Sequence, residues 1–191
     1  EIYTLSLHDA LPISDLKNFS GCIFSDEDFV GENFSNKDFR FTDFSNSNLT
    51  DVDFQDANLV NSNFYNAKLS NVNFSGANLD SAIFKEAILT NTNFNKASLV
   101  SAGFQKTILS KVNFEHSDLE RSLFDNAELE STKFMHANLM RAGFESSNLT
   151  FVDLENTNLV HTDFDNAILK NANFNGAKIW KTKLKDRKSV V

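Results

Sequence analysis

Large apolar side chains return at every fifth residue. Beginning at Phe19 and stepping by five, every position through Leu184 is Phe, Leu or Ile: 34 positions, with 18 Phe, 15 Leu and one Ile, Ile179. Two residues before each centre, from Thr42 onward, stands a small or β-branched side chain such as Ala57, Ala67, Val72, Ala82, Ala97 or Thr132. The other three residues of each five are mostly Asn, Asp, Ser, Lys and Glu. Over five residues a helix rotates by about 140°, so this spacing would scatter apolar groups around its circumference. In a straight strand, residues two apart share a face, but residues five apart point to opposite faces because five is odd. The pattern therefore predicts a short extended piece with two inward side chains, then a corner, once in every five residues. Repeated corners close into a coil with flat sides.

From Phe44 to Leu149 the centres alternate Phe and Leu without exception, so the chemistry repeats every ten residues. Four units per turn would stack Phe44, Phe64, Phe84, Phe104, Phe124 and Phe144 on one side and Phe54, Phe74, Phe94, Phe114 and Phe134 on the opposite one. A three-sided coil would mix Phe and Leu in each column, whereas a two-sided coil also keeps the columns pure. Periodicity alone leaves two and four open. Units such as ANLDS at 77–81 and ANLMR at 137–141 resemble the pentapeptide-repeat family, closely over about 40–185 and loosely over 15–39. The resemblance implies an all-β fold: a right-handed quadrilateral parallel β-helix, four pentapeptides per coil and about eight coils. Coils of such a solenoid lie about 4.8 Å apart, as parallel strands do. Outward Asn residues just before the centres, among them Asn63, Asn73, Asn78, Asn93 and Asn113, are expected to bond the turns and one another.

The repeat weakens at its start. Lys17, Glu27, Glu32 and Lys37 occupy the inward small position, so residues 15–39 are expected to form degenerate first coils, loosened, paired or distorted. Beyond the repeat, EIYTLSLHDALPIS (1–14) resembles the translation of a sequencing adapter, and DRKSVV (186–191) resembles the same adapter read from its other strand. The five-residue register lands on Asp9, Ser14 and Ser189 there, all polar. Both ends are accordingly expected to be library-derived and outside the fold, leaving 15–185 as the β-helix. Solenoids carry terminal caps, and none is recognisable, so the native chain is expected to extend further.

Charge changes the picture along the length rather than in total. The chain carries a net −8 from 18 Lys and Arg against 26 Asp and Glu. Residues 15–56 carry −7 and 115–165 carry −8, but 57–114 carry +3 and 166–185 carry +5. An acidic body repels phosphate, so no nucleic-acid partner is expected for it. Cys22 stands alone, which rules out an internal disulfide and any CxxC or zinc set and is compatible with a reducing compartment, the cytoplasm being the expectation. No stretch approaches 18 uninterrupted apolar residues, so no spanning helix is predicted.

Catalytic chemistry is not expected. No Ser sits in a GxSxG context, and Gly76, Gly103, Gly143 and Gly176 are isolated rather than arranged as a phosphate loop. Four-per-turn stacking would bring His116 and His136 to one corner about 5 Å apart. Without a third ligand at matching spacing, neither these nor His161 makes a metal site, and no cofactor is predicted. Two surface strips are candidate partner-binding sites. One holds Ile83, Gly103, Leu123 and Gly143, with Ile88 and Ile108 on the next side. The other holds Val60, Val100, Met140, Val160 and Trp180, interrupted by Asp80 and Glu120, with Trp180 as the best single anchor.

The expected function is that of a non-enzymatic scaffold or protein-binding rod, with another protein or a second copy as partner. The resemblance implies an alternative, since some family members imitate duplex DNA, bind DNA gyrase and protect it from quinolones. The sign change along this chain argues against the continuous negative field that such mimicry needs. A third possibility makes the rod an appendage of an enzyme or effector.

Overall fold

The computed structural model describes residues 16–185, so the expectations for 1–14 and 186–191 lie outside the described residues. Each residue just before a centre pairs in parallel with the residue twenty positions on, from Asn18↔Asp38 through Asn78↔Ser98 to Asp163↔Lys183. One coil is therefore twenty residues, and four pentapeptides make a turn. The rungs are backbone hydrogen bonds: the Phe44 amide donates to the Asn63 carbonyl at 2.7 Å, and the Asn63 amide donates to the Thr42 carbonyl at 2.9 Å. The four faces are named here by their inward centres: face I by Phe44 to Phe164, face II by Leu49 to Leu169, face III by Phe54 to Phe174, and face IV by Leu59 to Ile179. On face II three coils extend into strands, β1 (Lys68–Ser70), β2 (Ile88–Thr90) and β3 (Ile108–Ser110), forming a parallel sheet in that order.

The corners follow one rule. Typically the amide three residues after a centre donates to the centre's carbonyl, as Ala77 does to Phe74 at 3.0 Å. The second residue after every centre, from Gly21 to Lys181, has positive φ, between 51° and 77°. Left-handed backbone is a site for Gly, Asn and Asp, and these residues fill many of the corners, including Asn66, Asn71, Asn91 and Gly76. Phe41 and Phe151, the only Phe outside the five-residue register, sit at this position and are 60% and 56% exposed. At Gly76 (φ 69°) the absent side chain leaves room for the Asp56 carboxylate of the coil below, which would have to swing aside to admit a Cβ.

Inside, two columns of phenylalanines stack and interlock. Down face I, Phe64, Phe84, Phe104 and Phe124 lie 4.7–4.8 Å apart with planes within 5° of parallel. Down face III, Phe74, Phe94 and Phe114 repeat at 4.8–4.9 Å. Between the columns the rings meet edge to face, as Phe84 and Phe94 do at 5.7 Å and 90°. Both arrangements are preferred by the ring quadrupole. The separations match the coil spacing expected from parallel strands.

Small inward residues complete the core, and their hydroxyls are bonded. The Ser62 hydroxyl donates to the Leu59 carbonyl at 2.7 Å, and the Thr92 hydroxyl reaches down one coil to the Leu69 carbonyl at 2.5 Å. Among the described residues, no buried side-chain N or O lacks a partner. Thr92→Val keeps the shape and removes that bond, so urea unfolding should show a loss of about 0.5–1.5 kcal/mol.

The first coils keep the backbone ladder. The Asp38, Asn48 and Asp53 amides donate to the Lys17, Glu27 and Glu32 carbonyls at 2.9, 2.9 and 3.0 Å. The side chains of Lys17, Glu27 and Glu32 are exposed rather than turned into the core. Lys37 alone stays inside, 8% exposed, with its ammonium donating to the Leu16 carbonyl at 2.7 Å and lying 5.7 Å from the Phe19 ring centre. At the other end, Leu169, Phe174, Ala177 and Leu184 are only partly buried, and Ile179 is 60% exposed.

Candidate functional surface

Over most of the rod the outward residue before each centre is Asn or Asp, and it has two tasks. Its Oδ1 accepts from the amide two residues on, as in Tyr65 N to Asn63 Oδ1 at 3.1 Å. The side chains also form a vertical ladder in which Asn donates, as in Asn63 Nδ2 to Asp43 Oδ1 and Asn73 Nδ2 to Asp53 Oδ1, both 2.9 Å. These side chains close the corners and tie coil to coil, as the sequence suggested. The ladder breaks in the central coils, where aliphatic groups replace it: Ile83 and Leu123 on face I, Ile88 and Ile108 on face II, 40–49% exposed. Ile88 and Ile108 are register partners in β2 and β3, above Lys68 of β1.

On face I, Gly103 lies between Ile83 and Leu123, one coil above the first and one below the second. An open depression, or notch, of about 610 Å³ crosses the column at Gly103, its walls including Ser101, Lys85 and Lys106. Gly143 differs from Gly103. It is buried, and a Cβ there would meet Leu123 Cδ2 at 3.2 Å and Asp125 Oδ1 at 3.0 Å. The strip therefore ends at Leu123. Asp125, at the rim, accepts from the Glu145 amide of the next coil at 3.0 Å. Burial pushes its carboxyl above the usual range, the Glu145 amide pulls it down, and nearby Asp163 pushes it up again.

The second strip runs along the corner between faces IV and I, beside the first. Val60, Val100, Met140 and Val160 are half-buried there. The polar interruptions are engaged: Asp80 accepts from the Ser98 hydroxyl at 2.6 Å and the Val100 amide at 3.0 Å. Glu120 lies 3.4 and 3.6 Å from Arg121 and Arg141. Trp180 is 57% exposed, with the Lys181 ammonium 4.3 Å from its ring centre and His161 edge-on at 5.2 Å. Lys181 thus occupies a face of the indole that a partner would use.

His116 and His136 are exposed and stacked at 4.9 Å, with planes 9° apart. His161 is at a different corner. Among the described residues no group of three His, Cys, Asp or Glu is placed to hold a metal ion. No helix there is long and apolar enough to cross a membrane. Cys22 is buried, and burial pushes its thiol pKa up. The sequence reading named Ile83, Gly103 and Leu123 but missed the notch and its cationic edge. The available signal was a glycine between two aliphatics at twenty-residue spacing, with Lys85 and Lys106 just past the same corner column.

Comparison with known proteins agrees with this geometry. The family model described as a pentapeptide repeat region matches residues 77–149 and 117–189, and that for pentapeptide repeats in eight copies matches 18–51 and 47–85. No curated protein matches the sequence. Among solved structures, trypsin-treated QnrB1, a plasmid-mediated fluoroquinolone resistance protein, is similar at a TM-score of 0.51 and 20% identity, over 85% of this chain and 86% of its own. HetL, a pentapeptide repeat protein involved in heterocyst differentiation regulation in the cyanobacterium Nostoc sp. strain PCC 7120, shares 21% identity over 89% of this chain and 88% of its own, at a TM-score of 0.46. A pentapeptide repeat protein of the Arabidopsis thaliana thylakoid lumen shares 31% identity over 47% of this chain and 66% of its own, at a TM-score of 0.40. By sequence match, twenty-residue ladder and stacked aromatic interior together, the chain belongs to the pentapeptide-repeat family.

Proposed function

We propose that this chain is a non-enzymatic binding rod that holds a protein partner against its central coils. The observation behind this reading is the break in the Asn ladder: Ile83 and Leu123 on face I and Ile88 and Ile108 on face II replace side chains that elsewhere close the corners. Exposing aliphatics where polar groups serve the fold gives up local bonding, and contact with a partner is what would offset that loss. Surface substitutions at these positions leave the interior untouched, so Ile83→Glu with Ile108→Glu should keep the β-rich circular dichroism and melting curve of the parent. With each protein immobilised and exposed to extract from the source cells, a defined set of proteins should be retained by the parent and lost by the double variant. Identical retained sets would refute the assignment.

The gyrase-directed DNA-mimic reading draws support from the QnrB1-like fold and from the acidic segments 15–56 and 115–165. The +3 band at 57–114 sits between them and interrupts the negative field. A supercoiling assay decides between the two: protection of gyrase from a fluoroquinolone by this chain would favour mimicry over the central-coil surface.

A further inference from the structure

Building on the binding-rod reading, we infer that the notch over Gly103 receives a short acidic segment of the protein partner. One aliphatic side chain of that segment inserts between Ile83 and Leu123, and its carboxylates lie against Lys85 and Lys106. Within the notch, the gap between Ile83 and Leu123 is one residue tall, since of the three in that column Gly103 alone lacks a Cβ. What covers Gly103 is the end of a flexible side chain: Gln105 Oε1 lies 2.9 Å from where a Cβ would be, and rotation of that side chain clears the floor.

Charge selects the occupant. The band 57–114 holds five Lys and two acids. Both acids are engaged, Asp80 by the Ser98 hydroxyl and the Val100 amide, and Glu86 by the Tyr65 hydroxyl at 2.8 Å. Lys85 and Lys106 enter no ion pair among the described residues. Asp125, the acid on the notch wall, is bonded to the Glu145 amide one coil further on, which directs its carboxylate along the rod and away from Gly103. The band is about three coils tall, roughly 14 Å at the parallel-strand spacing, between segments of −7 and −8. A nucleic-acid strand longer than a few nucleotides would run onto those acidic segments, whereas four or five residues of acidic peptide fit within the positive band.

The test is an NMR titration of the isotopically labelled full chain with three probes. These are a capped pentapeptide with leucine flanked by two Asp-Glu pairs, the same peptide with glycine for leucine, and a five-nucleotide oligothymidylate. The leucine peptide should shift amides around residues 81–85, 101–106 and 123, and bind about tenfold tighter than the glycine peptide, the value of burying one such side chain. Gly103→Leu should weaken it about tenfold by filling the notch. Its φ is not left-handed and its first obstacle is a mobile side-chain end, so the fold should persist. Lys85→Glu with Lys106→Glu, a second variant that leaves the core unchanged, should weaken it at least as much. Equal affinity for both peptides, indifference to Gly103→Leu, or tighter binding of the oligonucleotide each overturns the assignment. So does an absence of shifts. The binding-rod reading survives that failure if the retained protein set still depends on Ile83 and Ile108.

Discussion

Phe94→Asp should abolish the cooperative unfolding transition of the rod, with the β-type circular dichroism falling and no melting midpoint resolved above room temperature. Phe94 is fully buried, stacked at 4.9 Å on Phe74 and 4.8 Å on Phe114, and met edge-on by Phe84 and Phe104 at 5.7 and 6.0 Å. Removing the ring alone costs about 3–5 kcal/mol. The aspartate adds a carboxylate to a column with no cation and no spare donor, and burial without a partner costs several more. Against a typical stability of about 5–15 kcal/mol, that is enough to open the stack. Because each coil touches only its neighbours, the break should split the rod locally, and hydrogen exchange should rise first between residues 74 and 114. A melting curve matching the parent's would mean that the ring columns do not hold the fold.

Ala87→Lys should be comparably damaging, although the chain already carries an inward lysine. Lys37 is tolerated because its ammonium reaches the Leu16 carbonyl near the start of the described stack. Ala87 is fully buried in the middle, with coils above and below and no open end of the stack for an ammonium to reach, and the Ala87 and Ala67 carbonyls already accept from the Ile108 and Ile88 amides at 3.1 and 3.0 Å. A lysine there must stay charged without a partner, give up its proton, or tear the ladder. The expected loss is about 3–5 kcal/mol by urea unfolding. Ala87→Ser is the control and should be mild, since Ser62 and Ser122 stand at equivalent positions and bond the carbonyl of the preceding centre at 2.7 and 2.8 Å. Equal losses for the two substitutions would show that size rather than charge limits this position.

The interior was legible because it is a matter of parity and volume. Two inward residues in five, one large and one small, leave few ways to fold, and Phe44 through Leu149 state the column order outright. Periodicity left two sides and four open, the family resemblance implied four, and the ladder has four, Asn58↔Asn78 being twenty residues apart. The left-handed corners were less visible. Asn61, Asn66, Asn71 and Asn91 advertise them, but Lys96, Lys106, His116 and Arg121 adopt the same φ without any such preference, imposed by the ladder on both sides. At the start of the rod, composition misled: Glu27 and Glu32 hold inward positions in the pattern yet lie exposed while their carbonyls keep the rungs. On the surface, Ile83 and Leu123 could be read as a strip, but the difference between Gly103, half-buried under the end of Gln105, and Gly143, buried against Leu123 and Asp125, depends on how those side chains lean.

The twenty-residue register makes height and cross-section independent of each other. Adding or removing whole storeys alters how far the rod reaches while each wall keeps its own lining. A gain or loss of five residues would rotate every later wall by a quarter turn and set phenylalanine above leucine. In a molecule indexed this way, lengthening proceeds in steps of one full winding, and a recognition patch built over two or three storeys can be carried along the shaft intact.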